Sequence, residues 1–214
     1  MSKVIAIIGA GEGISKAVAE KFAQNGFSVA LVARKKAKLE KLTHELNANG
    51  VNAHYFVADA SDAESMKDAF DQIWDKFIDI DVLVYNAAKM KNVSIENETA
   101  DSLTRDFKVN VGGVMTALQL VIPDMEKKNE GAILLTGGGF AIHPDPQYGS
   151  LAIGKAALRN LAQSLHAALK PKNIFVGTVT VAGIVGSDEK HTPENIAGQF
   201  WKLYSERREF EIIF

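Results

Sequence analysis

Short apolar runs recur along the chain, each followed by a stretch long enough for one helix, and this alternation restricts the fold more than any other feature. The runs are Val4–Ile8, Phe27–Ala33, Ala53–Ala58, Val82–Tyr85, Ala132–Thr136 and Ile174–Val181. Several are β-branched and near-continuously apolar, as parallel strands covered on both faces are. Between them lie helical patterns: Ile14–Asn25, Lys36–Ala48, Ala63–Phe77, Ala100–Lys127 and Leu151–Leu169. Asn25-Gly26 and Asn49-Gly50 punctuate two helix ends, where glycine tolerates a left-handed backbone. Pro171 stops the last long helix. Glu194–Glu206 reads as a further helix, and Phe210–Phe214 as a last strand at the sheet edge.

Strands alternating with helices predict a parallel sheet with helices on both sides. The order is βαβαβ twice over, which gives a single doubly wound parallel sheet of about seven strands, the α/β class known as the Rossmann fold. There is no internal repeat beyond that alternation, no low-complexity segment and no linker. Residues 1–214 are expected to form a single dinucleotide-binding domain, and 214 residues are ample for a sizeable core. The formal net charge of −2 offers no basic surplus for nucleic acid. The absence of cysteine excludes a disulfide framework, a thiolate metal site and a cysteine nucleophile. The apolar run near the start is too short to span a bilayer and lacks a signal-peptide cleavage site, so a cytoplasmic protein with no membrane partner is expected. No H-x-x-x-H pattern or paired histidine suggests a metal. Neither a G-x-S-x-G elbow nor a G-x-x-x-x-G-K-[ST] loop occurs.

The first strand runs into Ile8-Gly9-Ala10-Gly11-Glu12-Gly13-Ile14-Ser15, which opens the first helix. Strand, glycine turn and helix N-terminus together make a phosphate cradle: glycines let the backbone approach a pyrophosphate, and the helix start aims amide donors at it. Gly9, Gly11, Gly13 and Ile14 are therefore candidate cofactor contacts. An ordinary strand-to-helix turn is the plainer alternative, and the βαβ context favours the cradle.

The spacing is not the general G-x-G-x-x-G, because Ile14 stands where the third glycine would be. It resembles instead the T-G-x-x-x-G-x-G of the short-chain dehydrogenase/reductase family, with Gly9 and Gly13 matching, Ile8 replacing the threonine and Ser15 the final glycine. Three further segments carry the resemblance along nearly the whole chain. Val57-Ala58-Asp59-Ala60 ends the third strand as the family's adenine-contacting segment does. Val84-Tyr85-Asn86-Ala87-Ala88 is similar to N-N-A-G, with the first asparagine and the glycine altered. Val181-Ala182-Gly183-Ile184 is similar to the family's P-G turn, with alanine for proline. The resemblance implies cofactor contacts at Asp59, Ala60, Asn86, Ala87, Gly183 and Ile184.

The choice of dinucleotide falls about 20 residues past the glycines. Leu31-Val32-Ala33-Arg34-Lys35 offers no carboxylate for a ribose 2′-hydroxyl, whereas Arg34 offers a planar fork of donors to a 2′-phosphate. NADP(H) is favoured and NAD(H) possible. Glu12 argues against the phosphate, because many NADP-dependent relatives carry a basic residue there. Arg34 and Lys35 would otherwise simply solvate a loop.

The family's reaction uses a tyrosine as acid or base, a lysine four residues later that lowers the tyrosine pKa and holds the ribose, a serine after the fifth strand, and an asparagine in the long fourth helix. Asn110 in Lys108-Val109-Asn110-Val111-Gly112 matches the asparagine, and Lys155 matches the lysine. Leu151 stands at the tyrosine position. Where the serine is expected the sequence reads Leu135-Thr136-Gly137-Gly138-Gly139, with no serine. Tyr148, His143 and Thr136 are candidate substitutes, with Tyr148 first. Tyr148 lies seven residues before Lys155, about 10 Å of helical rise away. Packing or solvation is the plainer role for each. Lys155 and Asn110 also serve cofactor binding and backbone pairing without any chemistry. The sequence looks like a divergent branch of the family that keeps the lysine and lacks the tyrosine.

Two functions follow. One is an NADP(H)-dependent oxidoreductase acting on the carbonyl or alcohol of a small molecule, with Asn110, Lys155 and Tyr148 as catalytic candidates. The other is a non-catalytic dinucleotide-binding protein, a sensor or scaffold. The resemblance further implies a homodimer or homotetramer through the long helices Ala100–Lys127 and Leu151–Leu169. The short polar stretch Ile184–Thr192, where the family places a substrate lid, implies a small or open substrate pocket.

Overall fold

The computed structural model describes residues 2–214. Seven strands are built: β1 (Lys3–Ile8), β2 (Phe27–Ala33), β3 (Ala53–Val57), β4 (Val82–Tyr85), β5 (Gly131–Gly138), β6 (Ile174–Val181) and β7 (Glu211–Ile213). They form one parallel sheet in the order β3-β2-β1-β4-β5-β6-β7. The order reverses between β1 and β4, the crevice where doubly wound sheets bind ligands.

The helices are α1 (Ile14–Ala23), α2 (Lys36–Ala48), α3 (Ala63–Phe77), α4 (Ala100–Phe107), α5 (Gly113–Lys128), α6 (Gly149–Leu169) and α7 (Pro193–Glu206). Successive strand residues point to opposite faces, and both faces are buried. Ile5, Ile7, Val29, Leu31, Val84 and Leu134 pack with α1, α2 and α7. Ala6, Ile8, Val32, Leu83, Tyr85 and Leu135 pack with α3, α5 and α6. Each fully buried Ile, Leu or Val contributes roughly 1.5–3 kcal/mol of transfer free energy, which explains why the strands are apolar throughout. Trp201 packs edge-on against Phe22, and Trp74 against Phe70.

Three of the differences from expectation bear on the site. The stretch read as one helix over Ala100–Lys127 is two helices joined by five π-helical residues, Lys108–Gly112. Periodicity could not reveal this, because one extra residue in a turn leaves apolar positions on both sides. Helix α6 begins at Gly149, two residues earlier than its apolar pattern, and Tyr148 is its N-cap residue. Strand β5 continues through Gly137 and Gly138 because β6 pairs them with Thr180 and Val181. Tertiary pairing there overrides the low strand preference of glycine.

Candidate active site and dinucleotide cleft

A cleft of about 260 Å³ opens at the crevice between β1 and β4. Its lining includes Gly9, Arg34, Asp59, Ala60, Asn86 and Ala87, so these six sequence candidates come together, joined by Lys38 and Val109. Gly9 has φ +86°, and a Cβ there would lie 2.3 Å from the Ala87 amide nitrogen. Only glycine allows β1 to turn this close to the end of β4. Gly11 and Gly13 have open space where a side chain would project, and α1, which begins at Ile14, has no side-chain cap. Its first amides therefore remain for an anionic ligand. This is the opening a pyrophosphate needs, and the residues present fit a dinucleotide.

Ser15, in the place of the family's last glycine, is 1% exposed. Its hydroxyl donates to the Gly9 carbonyl at 3.0 Å and accepts from Asn86 Nδ2 at 2.7 Å. The substitution therefore adds a bond rather than merely tolerating a small side chain.

At the end of β2, Arg34 Nη1 lies 3.7 Å from Asp59 Oδ2. Burial pushes the Asp59 carboxyl up, but hydrogen bonds from the Ser61 hydroxyl and amide, with Arg34 beside it, outweigh burial and hold it below the usual carboxylate range. Arg34, Lys35 and Lys38 all line the cleft. Lys38 was not singled out in the sequence because it sits among several surface lysines of α2. Its helix phase, one turn past Arg34, is the available signal. Glu12 lies 3.7 Å from Lys16 and 3.8 Å from Lys41, so its charge is answered by neighbours on α1 and α2.

Beyond the cleft, the remaining candidates stand around the ends of β5 and β6. Asn110 lies in the π-helical segment and is 4% exposed. Its Oδ1 accepts from the Lys89 amide at 2.6 Å, while its buried Nδ2 has no partner. Gly154 of α6 gives it room, since a Cβ there would come within 2.8 Å of Asn110 Nδ2. The preceding carbonyl, of Val109, accepts from the Tyr85 hydroxyl at 2.5 Å. Tyr85 is buried at 1% exposure, and burial, with Asp59 nearby, raises its pKa. Its hydroxyl is aimed at the π-helical segment, a role its place in the altered N-N-A-G segment did not suggest.

Lys155 is half-buried on α6. Its stem lies over Gly138, with Cε, Cδ and Cγ 3.4–3.5 Å from where a Cβ would stand. Its Nζ donates to the Thr136 carbonyl at 2.5 Å. Removal from water pulls the amine down to about 8. Leu151, one turn earlier, is 5% exposed. The Thr136 hydroxyl is buried and has no partner.

Tyr148 is half-buried at the start of α6, its ring stacked on Phe140 with centroids 5.3 Å apart. His143 is exposed in the preceding loop. Gly183 is covered by the ring of His191, whose Cε1 would be 2.4 Å from a Cβ at that position. His191 Nδ1 pairs with Asp188 at 2.9 Å, and its Nε2 is buried without a partner. Ile184 is 77% exposed. Among the described residues no cluster of three metal-ligating side chains occurs, and no helix is long and apolar enough to cross a membrane.

The comparisons with known proteins agree with the fold. The short chain dehydrogenase family model matches residues 3–194, and the chain belongs to that family. It is similar to an uncharacterized oxidoreductase of Mycobacterium tuberculosis, 29% identical over 185 residues, or 84% of this chain and 54% of that protein. It is also similar to the 3-oxoacyl-[acyl-carrier-protein] reductase FabG of Thermotoga maritima, 28% identical over 192 residues, or 90% of this chain and 78% of that protein. The chain thus spans about half the length of the Mycobacterium relatives. The crystal structure of a short-chain dehydrogenase from Rhodopseudomonas palustris superposes with a TM-score of 0.87 at 25% identity, covering 99% of this chain and 97% of that one.

Proposed function

We propose that this chain, as a single dinucleotide-binding domain over residues 1–214, is an NADP(H)-dependent oxidoreductase that interconverts a carbonyl and an alcohol on a small molecule. The observation that carries the reading is the convergence of Arg34, Lys35 and Lys38 on the far end of the cleft, facing no ribose-binding carboxylate on β2. A 2′-phosphate would bring negative charge to Lys35 and Lys38 and share Arg34 with Asp59, which lies 3.7 Å away. Gly9, Gly11, Gly13 and Ile14 would take the pyrophosphate. Asp59, Ala60, Asn86 and Ala87 would hold the adenosine half, and Gly183, Ile184 and Lys155 the nicotinamide half. The nicotinamide, when bound, supplies or accepts a hydride. Asn110 fixes the Lys89 loop against α6 beside the reacting centre, and Tyr148 stands as one source of the proton. The reading includes a cytoplasmic homodimer or homotetramer.

Titration of the protein with NADPH beside NADH, followed by fluorescence at fixed low salt, tests this. Tight NADPH and weak NADH binding is the expected result. A preference for NADH would transfer the selection from Arg34 to Glu12, and binding of neither would end the proposal.

A second reading is favoured by Leu151 and Gly138: a dinucleotide-binding protein without turnover, serving as sensor or scaffold. The double variant Leu151→Tyr with Gly138→Ser separates the two. Reductase activity gained by it, where the natural chain has none, would identify those two groups as the missing ones.

A further inference from the structure

Leu151 and Gly138 stand where the family carries a tyrosine and a serine, and they leave Lys155 as the titratable side chain of that set. Leu151 places a buried aliphatic group at the tyrosine position. Gly138 leaves bare backbone where the serine would stand, and the stem of Lys155 lies on that surface. The amine reaches the carbonyl of Thr136, which uses one of its three donors. Among the described residues no carboxylate pairs with it. The elements around it offer few charges. Thr136 on β5 and Asn110 in the π-helical segment are neutral. On α6, Arg159 lies one turn on and is engaged by Glu211 of β7 at 2.7 Å, and Tyr148 lies two turns back, stacked on Phe140. Thr136 Oγ1 and Asn110 Nδ2 are buried without partners.

We infer that Lys155 is itself the proton donor and acceptor of the reaction, replacing the absent tyrosine rather than assisting it. The inference rests on the oxidoreductase reading above. In the reducing direction a hydride from the reduced nicotinamide forms the new C–H bond at the substrate carbonyl carbon. The carbonyl π pair moves to oxygen, where it takes a proton from Lys155 as the N–H bond breaks. The carbonyl is reduced and the nicotinamide oxidised. Lys155 is left as a neutral amine and regains its proton from water. An amine that loses its proton near neutrality suits that exchange in both directions, since a general acid works best with a pKa near the operating pH.

The primary test is NMR on the full chain labelled with 13C and 15N in lysine, the Lys155 signal being assigned by its loss in Lys155→Arg. The expected midpoint is near 8, below the ordinary lysine value of 10.5. A Lys155 midpoint above 10 overturns the inference whatever the enzyme does. The second measurement is oxidation of NADPH with 4-nitrobenzaldehyde as probe. Turnover is expected to fall as pH rises through 8, and Lys155→Arg is expected to lower kcat at saturating NADPH by a factor of about 100 or more. Turnover surviving in Lys155→Arg, a pH limb removed by Tyr148→Phe instead, or NADPH bound with no oxidation by the aldehyde would each overturn the inference. Failure to bind NADPH would instead bring down the oxidoreductase reading, and the NMR midpoint would still report on the amine.

Discussion

Asn86 Nδ2 donates to the Ser15 hydroxyl at 2.7 Å, and that hydroxyl donates onward to the Gly9 carbonyl at 3.0 Å. The chain of bonds ties the end of β4 to the start of α1 across the glycine turn. Two segments that line the proposed dinucleotide cleft are thereby held in one arrangement.

Loss of that hydroxyl should loosen the turn without unfolding the chain. Ser15→Ala keeps the packing and leaves Asn86 Nδ2 only its long 3.4 Å contact to Gly9. The expected cost is about 1 kcal/mol, read from the midpoint of urea unfolding. NADPH affinity should fall with it, because binding must then order the turn. An unchanged midpoint would show that the buried bond contributes nothing.

Arg34→Ala should remove the discrimination between NADPH and NADH rather than dinucleotide binding as a whole. A charged hydrogen bond is worth about 1.5–3 kcal/mol, so NADPH should bind roughly 10–100-fold more weakly while NADH changes little. Lys38→Ala should do the same to a smaller extent. Equal losses for both dinucleotides would place Arg34 at the pyrophosphate or adenine instead.

The Lys155 amine carries a stability signature of its own. Its folded pKa, about 8, lies below the ordinary 10.5, so the folded state gives up its proton before the unfolded chain does. The folded state is therefore penalised below pH 8, and the penalty is relieved as pH rises from 8 toward 10.5. The full difference amounts to at most about 3 kcal/mol. Wild type should gain on Lys155→Met across that window in thermal melts, and a constant difference between them would show an amine that is not desolvated.

At the sheet edge, Arg159 holds Glu211 through both carboxylate oxygens, at 2.8–3.0 Å from Nε and 2.7 Å from Nη2. Thr180 donates to the same carboxylate. The Arg159 bonds keep the Glu211 carboxyl below its ordinary range against the opposing effect of burial. That contribution to stability is present above the unfolded pKa and is lost as pH falls through the depressed folded one. Because Arg159 is 40% exposed, Glu211→Ala should cost about 2 kcal/mol, between the values for exposed and buried pairs. Hydrogen exchange should quicken at the Phe214 amide, which bonds the Thr180 carbonyl of β6.

Gly183→Ala places a methyl group against the His191 ring, 2.4 Å from Cε1. The ring must leave its seat, and with it the Asp188 contact that closes the loop behind Ile184. Faster proteolysis between Ile184 and His191 with an unchanged core is the expected result. Protection as in wild type would mean the loop has another anchor.

The parallel sheet was legible because its strands are apolar on both faces, a pattern few other folds impose. The turn at Gly9 was legible because a sharp exit from β1 into α1 needs a backbone that only glycine adopts freely, and strand and helix signals place it. Less visible were features that depend on three-dimensional neighbours. Lys38 looks like any surface lysine until α2 is set beside the end of β2. His191 sits 8 residues past Gly183, and nothing in that spacing says its ring covers the glycine. The break after Phe107 left no trace, since Val111, Val114 and Ala117 continue an apolar helical pattern through it.

That break has a consequence for how the chain tolerates changes of length. In an α-helix each residue advances the side-chain direction by about 100°. The extra winding in Lys108–Gly112 therefore lets α4 and α5 carry separate bearings: Asp106 on α4 meets Lys91 and Ser150, while Val114 and Ala117 on α5 meet the sheet. Deleting one residue from the segment would restore an unbroken helix and swing all of α4 around its axis by about that angle. Asp106 would lose both partners and Asn110 would leave the Lys89 loop. A chain shortened by one residue there would keep its sheet and helices but aim this wall of the candidate site elsewhere.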